Sequence, residues 1–239
     1  MKVLLVNGGP HREGCTHRAL SEVASALQAE GIETEIFHVG NQPVRSCTGC
    51  GSCMRQKLGR CVYDDDIANR VLEKAAEADG LVIGSPVHYA SASGAVTAIM
   101  DRVFYAGSRL LAHKPGAAGV SCRRAGSTAA LDQLNKYFTI AQMPVVSSVY
   151  WNMVHGNTPQ QVEQDLEGLQ VMRTLGRNMA WLLQCIQAGR AAGLEPPARE
   201  KRQSTNFIRE PRFFRGPAVH RVKAKKPPCI PIEKHQGLR

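Results

Sequence analysis

The first 192 residues alternate short apolar runs with segments of helical periodicity, and this alternation limits the possible folds more than any other feature. The apolar, β-branched runs predict strands at residues 2–6, 33–39, 80–85, 116–121 and 144–149. The helical spacing predicts helices near residues 16–27, 67–75, 95–104, 131–138 and 160–187. Strands that alternate with helices of this length predict a parallel sheet with helices on both faces. We therefore expect an α/β domain with a doubly wound, five-stranded parallel sheet.

Five such units suit a flavodoxin-like arrangement of the strands. In that architecture ligands bind beyond the carboxyl ends of the strands, where the strand order reverses. The loops after the first, third and fourth strands are therefore the candidate binding loops.

The formal net charge of +10 is concentrated near the end of the sequence. Residues 199–239 contain 12 Lys and Arg against 3 Asp and Glu, whereas residues 1–198 contain 18 against 17. The helical pattern also ends near residue 192, and prolines and basic residues follow. We predict a domain over residues 1–192 and a basic, Pro-containing arm or tail, partly disordered, over residues 193–239. Nucleic-acid binding is not expected except through this tail.

Composition and hydropathy suggest a globular protein away from membranes. Hydrophobic residues make up 43% and charged residues 21%, which excludes a disordered or collagen-like chain as a whole. No apolar run reaches the roughly 18 residues of a membrane span, and the apolar start is too short for a signal peptide. We therefore expect a cytoplasmic protein.

The loop after the first strand has the features of a phosphate site. Its sequence, residues 7–16, lacks the G-x-G-x-x-G dinucleotide fingerprint and the G-K-[ST] ending of a nucleotide hydrolase loop. Glycines let backbone amides converge, and the start of the following helix offers unpaired N–H groups to a monophosphate ester. The candidate ligands are Gly9, His11, Gly14, Cys15 and Thr16. The alternative is a plain strand-to-helix turn with Thr16 as the N-cap.

The loop after the third strand can form a wall for a flat heterocycle, because it combines a proline turn, aromatic rings and small residues. Its candidate residues are Pro86, Val87, His88 and Tyr89.

The loop after the fourth strand can bring backbone and guanidinium donors to the opposite edge of such a ring. Its candidate residues are Arg123, Arg124 and Gly126. The alternative for this loop is a solvated basic turn.

Four cysteines crowd into fifteen residues, which in a reducing compartment indicates metal or redox chemistry before disulfides. They are Cys47, Cys50, Cys53 and Cys61. Three thiolates at this spacing can each hold a different iron of a cubane, and the fourth can close the site, whereas zinc sites usually draw two well-separated ligand pairs. The alternative is a cysteine loop that is structural and holds no cluster.

Taken together, these segments resemble the NADPH-dependent FMN reductase family of flavodoxin-fold proteins. The family pattern runs G-S-P-R-x-x-G-x-T, then G-x-C-x-x-x-D-D, then G-S-P-V-Y, and the matching segments are residues 8–16, 59–65 and 84–88. The likeness extends over roughly residues 1–209 and includes segments 151–156 and 205–209. Gly9 and His11 replace the usual Ser and Arg, which weakens two side-chain donors to a phosphate, and His88 stands where Tyr is common.

The resemblance implies a bound FMN that takes a hydride from NADH or NADPH and passes electrons to a quinone, a nitro compound, a free flavin or a protein. The flavin carries the chemistry in such proteins, so no side chain is expected to act as a general acid or base. The family also implies a homodimer.

Two other functions stay open at this stage. The cysteine spacing is similar to that of the iron–sulfur flavoproteins, a branch of the family with a [4Fe–4S] cluster beside FMN, which would make the protein an electron carrier. A non-enzymatic flavin-binding module with a nucleic-acid-binding tail is the other alternative.

Overall fold

The strands of the domain form one sheet. A computed structural model describes residues 1–200 and 203. The strands are β1 (Lys2–Asn7), β2 (Glu33–His38), β3 (Gly80–His88), β4 (Ser91–Ala92), β5 (Gly116–Cys122) and β6 (Met153–His155). Five of them are parallel in the order β2-β1-β3-β5-β6, and the short β4 pairs antiparallel with the end of β3. This is the flavodoxin-like strand order, so the predicted doubly wound α/β fold is confirmed.

Helices cover both faces of the sheet. They are α1 (Cys15–Ala29), α2 (Ser52–Arg55), α3 (Ala68–Glu77), α4 (Gly94–Leu111), α5 (Ser127–Ile140), α6 (Pro159–Val162) and α7 (Leu166–Ala191). The alternation of side chains along β1 explains the two layers: Leu4 and Val6 pack with α3, α4 and α5, whereas Val3 and Leu5 pack with α1 and α7. Leu4 and Leu5 are completely buried, and each such burial stabilises the fold by roughly 1.5–3 kcal/mol.

The central position of β1 determines where a crevice opens. Its last residue, Asn7, pairs with His38 of β2 on one side and with Gly84 of β3 on the other. The chain turns to one side of β1 to form β2 and then crosses to the other side to form β3. The loops after β1 and β3 therefore leave the same edge of the sheet and diverge there.

The fifth parallel strand differs from its prediction. The segment at 144–149 does not form the strand; Val145 makes an isolated bridge to Gly116 at the start of β5. The chain then bends, and β6 pairs with the end of β5 through Val120 and Met153. Pro144 has no N–H to donate. Gly116 donates to the Pro144 carbonyl and accepts from the Val146 amide, both at 2.9 Å, so the apolar run contributes one bridge of two hydrogen bonds rather than a ladder.

The predicted helix at 160–187 is two helices. The break lies at Asp165, whose carboxylate accepts a hydrogen bond from the Gly168 amide at 3.0 Å and so caps α7. Helix α6 has already ended at Val162, and Asp165 begins the next helix, because the backbone of an N-cap is not itself helical.

Residues Met1–Pro196 form one compact unit. In the described part of the chain, none of the helices has the length and apolar character needed to cross a membrane.

Most of the basic tail, including segment 205–209 and the stretch to which nucleic-acid binding was assigned, lies outside the described residues. The boundary at residue 192 stays a prediction.

The close packing of α1 against α7 generates a test of the fold. A Cβ at Gly176 would lie 2.7 Å from both the Ala26 Cβ and the Val23 carbonyl oxygen, so Gly176→Ala forces the two helices apart. We expect Gly176→Ala to lower the free energy of unfolding by about 1–3 kcal/mol in denaturant titrations. Gly189→Ala on the same helix is the control, because its Cβ would meet nothing closer than 3.5 Å. Equal destabilisation by both substitutions would contradict this packing.

Candidate functional site

The loop after β1 is held in shape by a buried side chain. The Asn7 carboxamide accepts from the Gly9 amide at 3.0 Å and donates to the Arg12 carbonyl at 3.0 Å. The Gly9 carbonyl also contacts Nε2 of His38, at 2.8 Å, from the end of β2. Neither Asn7 nor His38 was predicted from the sequence to belong to the site. Together they fix the path of the loop before any ligand binds.

Helix α1 starts at this loop with its first amides available. Its N-cap is Gly14, and within the described residues no side chain caps it. Thr16 therefore lies inside the first turn and is not the N-cap that the alternative prediction required. It is buried, and its hydroxyl is 2.9 Å from the Ser121 hydroxyl at the end of β5. The first turn of α1 thus faces the carboxyl edge of the sheet, with a positive dipole end and a hydroxyl.

These loops enclose a pocket of about 260 Å³ at the carboxyl edge of the sheet. Nine of the predicted cofactor residues line it: Gly9, His11, Gly14, Cys15, Thr16, Pro86, Val87, His88 and Arg123. Five further residues line it that were not among the candidate ligands: Pro10, Ser121, Cys122, Gly156 and Asn157. Four segments that are far apart in sequence, following β1, β3, β5 and β6, therefore meet at one site.

Tyr89, Arg124 and Gly126 do not line this pocket. Tyr89 is fully exposed, and both Tyr89 and Ala90 have positive φ angles, of 48° and 60°. Gly126 also has a positive φ, of 90°, and a Cβ there would lie 2.6 Å from the Ala90 Cα. The role of Gly126 seen in the structure is to let the loops after β3 and β5 touch.

The charge around the pocket favours an anion. Among the described residues that line it, none is Asp or Glu, whereas Arg123, His11 and His88 are present. Burial raises the pKa of both Cys15 and Cys122, so these thiols are neutral near pH 7. A phosphate ester that enters this pocket therefore meets open amides, a hydroxyl and the Arg123 guanidinium, and no carboxylate among the lining residues.

The four clustered cysteines line a second pocket, of about 210 Å³. Its remaining lining residues are Thr48, Gly49, Gly51, Met54, Val62, Tyr63, Arg102 and Tyr105. All four residues line one space, but in the described part of the chain no group of three or more His, Cys, Asp or Glu is arranged to hold a metal ion. The amide and hydroxyl of Ser52 lower the pKa of Cys50, whereas burial raises the pKa of Cys53.

Cys61 is the cysteine with the firmest backbone support. Its amide donates to the Asn69 side chain at 2.9 Å, and its carbonyl accepts from the same side chain at 3.0 Å. Cys50 lies between two glycines of positive φ, Gly49 and Gly51, where the chain turns tightly, and Cys47 and Cys53 lie on either side of that turn. The second pocket thus combines a fixed cysteine with a glycine-rich segment.

A buried ion pair lies beside this second pocket, through Arg102, which lines it. Arg102 of α4 pairs with Asp66, and their side chains are 1% and 5% exposed. Burial alone would raise the pKa of Asp66, but the amides of Ala68 and Arg45 and the Arg102 guanidinium outweigh it and lower that pKa. The carboxylate is therefore charged in the folded protein throughout the neutral range.

Comparison with known proteins places these features among flavoproteins. A family model described as NADPH-dependent FMN reductase matches residues 1–158. An iron-sulfur flavoprotein of Methanocaldococcus jannaschii is 32% identical over 195 residues, which are 78% of this chain and 100% of that protein. The structure of a flavone reductase aligns with a TM-score of 0.62 at 20% identity, over 78% of this chain and 64% of that one. A flavodoxin from the domain Archaea aligns at 0.52 and 16% identity, over 77% and 99% of the two chains. At these identities the two structural likenesses show the fold.

The lowered pKa of Asp66 generates a test of the ion pair. A carboxyl whose folded pKa is depressed adds stability above its unfolded pKa, near 3.8, and that stability is lost as the pH falls through the folded value. We expect wild type to be more stable than Asp66→Asn at pH 7, with the difference shrinking below pH 4 in denaturant titrations. A difference that is constant from pH 7 to pH 3 would contradict the pairing.

Proposed function

The chain belongs to the NADPH-dependent FMN reductase family, and on this premise we propose that it is an FMN-dependent NAD(P)H oxidoreductase. The observation that carries the proposal is the pocket at the carboxyl edge of the sheet, where β1 and β3 diverge. Ligands of this fold bind at that point, and the pocket already has the donors that a phosphate ester needs.

We assign the FMN phosphate to the loop after β1. The fit rests on three features of this chain: uncapped amides at the start of α1, a tightly packed turn in which a Cβ at Gly9 would press on Asn7 and Thr16, and the buried Thr16 hydroxyl. The Asn7 side chain and His38 keep the loop in this conformation, so little ordering is required on binding. Gly9 and His11 in place of Ser and Arg leave more of the phosphate contact to the backbone.

The flavin ring would be placed by the loops after β3 and β5. Pro86, Val87 and His88 line the pocket, and Arg123, which follows the neighbouring strand β5, lines it too. A cation in that position stabilises negative charge that develops on the ring. When bound, FMN would accept a hydride from the nicotinamide and pass electrons onward, so these side chains orient groups and exclude water.

We propose that the electron acceptor is a quinone, a nitro compound, a free flavin or a protein. Steady-state oxidation of NADPH and of NADH, with each class of acceptor in turn, identifies the donor and the acceptor.

Homodimer formation and a cytoplasmic location stay predictions. The module with a nucleic-acid-binding tail depends on residues outside the described ones.

A second candidate function is electron transfer through a [4Fe–4S] cluster. The observation that favours it is that Cys47, Cys50, Cys53 and Cys61 line one pocket, and four thiolates are the donor set of such clusters. The relative from Methanocaldococcus jannaschii is also named an iron-sulfur flavoprotein. When bound, a cluster would supply one-electron transfer beside the two-electron chemistry of the flavin.

The phosphate assignment is tested by removing a single hydroxyl. Thr16→Val keeps the shape of the side chain and loses a donor to a charged group, a contact of about 1.5–3 kcal/mol. We expect the FMN dissociation constant, measured by flavin fluorescence quenching, to rise roughly ten- to hundredfold. Thr139→Val, on an exposed residue at the end of α5, is the control and should bind FMN like wild type. Unchanged affinity in Thr16→Val would remove the phosphate from this loop.

The cluster assignment is tested by iron, sulfide and flavin assays on protein purified without oxygen, together with its absorption spectrum. About four irons per chain and a broad visible shoulder support the cluster, and both should be lost in Cys50→Ala. Cys185→Ala, on an exposed residue of α7, is the control and should keep both. Flavin bands without iron in wild type would leave the reductase as the function and make the cysteine loop structural.

A further inference from the structure

Arg102 has an environment that the proposed function does not explain. Its side chain is 1% exposed, and a charge buried to this extent is destabilising unless every donor is satisfied. Its two terminal nitrogens donate to Asp66, to the Arg45 carbonyl at 3.2 Å and to the Tyr63 carbonyl at 2.7 Å. A fourth hydrogen bond, from Nε–H, reaches the Cys61 sulfur at 3.3 Å. The guanidinium therefore donates one of its hydrogen bonds to the thiol of Cys61, a residue that lines the second pocket.

The backbone and the sulfur of Cys61 are held by different elements. Asn69 of α3 holds the backbone through both its amide and its carbonyl, whereas Arg102 of α4 contacts the sulfur. The backbone of Cys61 would thus stay anchored if the Arg102 contact were lost. A hydrogen bond from a cation to a ligating sulfur withdraws charge from it, and such bonds are among the factors that set cluster potentials.

We propose that Arg102 is a positioning residue that holds the Cys61 sulfur toward the second pocket and raises the reduction potential of a cluster bound there. The inference rests on the proposed cluster site. Its physical basis is that reduction adds negative charge to the cluster, and a fixed N–H donor with a buried positive charge stabilises the reduced state more than the oxidised one. Asp66 acts in the opposite sense, since it neutralises part of that positive charge.

The test is an equilibrium redox titration of the iron-loaded full chain, followed by electron paramagnetic resonance and visible absorption. Arg102→Lys keeps a positive charge for Asp66 but lacks the Nε–H, so the potential should become more negative. Asp66→Asn keeps Arg102 and removes the carboxylate, so the potential should become more positive. Arg109→Lys, on an exposed residue of the same helix, is the control and should match wild type.

The opposite signs separate this role from a structural one, because simple weakening of the loop would not move the two potentials in opposite directions. If Arg102→Lys loses its iron, the double variant Asp66→Asn/Arg102→Gln is compared with Asp66→Asn, and its potential should be the more negative. Potentials that stay at the wild-type value, or move in the same direction in both variants, would overturn the role of Arg102. A wild-type chain that takes up no iron on reconstitution would instead overturn the cluster site itself.

Discussion

The pairing of β1 with a neighbour on each side is the constraint on which the remaining structure depends. Because β2 and β3 flank β1, the chain leaves the sheet in opposite directions at the end of β1, and a crevice opens there. Asn7 ends this strand, fully buried, and it directs the loop that follows. The start of α1, the β3 loop and the end of β5 can meet only because this edge is fixed by the sheet.

Local periodicity was enough to predict the fold class and most of its elements. Alternation and helical spacing are properties of short segments, and they identified β1, β2, β3 and β5 near their observed bounds. The periodicity of a segment does not show which strand that segment pairs with. The apolar run at 144–149 looks like a strand, yet the shorter segment Met153–His155 makes the ladder with β5, because sheet membership is decided by partners distant in sequence.

The same limit explains which site residues were found. Loop residues next to glycine or proline stand out in a sequence, and most of those predicted do line the first pocket. Ser121 and Cys122 belong to a buried strand, where a sequence indicates packing rather than binding. Gly156 and Asn157 follow a strand whose position was predicted elsewhere. Tyr89 is the opposite case: it was predicted to belong to the site, but its ring is fully exposed to solvent.

Arg102 shows that a charge within a helix is not always on its solvated face. Its neighbours on α4, Ile99 and Val103, are buried, so it lies on the apolar stripe, and that misplaced charge is a signal the sequence does contain. The partners Asp66 and Cys61 are 36 and 41 residues away along the chain. Their convergence depends on how α3 and α4 pack, which no single segment encodes.

The two ends of the cysteine-bearing segment are both fastened to the domain. At one end the His38 ring contacts the Gly9 carbonyl, and at the other Asp66 is held by Arg102. For a flexible loop with fixed ends the closure entropy grows only with the logarithm of its length, and doubling the length costs about 0.6 kcal/mol. Insertions at the exposed residues 41–43, which line neither pocket, therefore change the stability of the domain little. This is the part of the chain where length can vary while both pockets keep their walls.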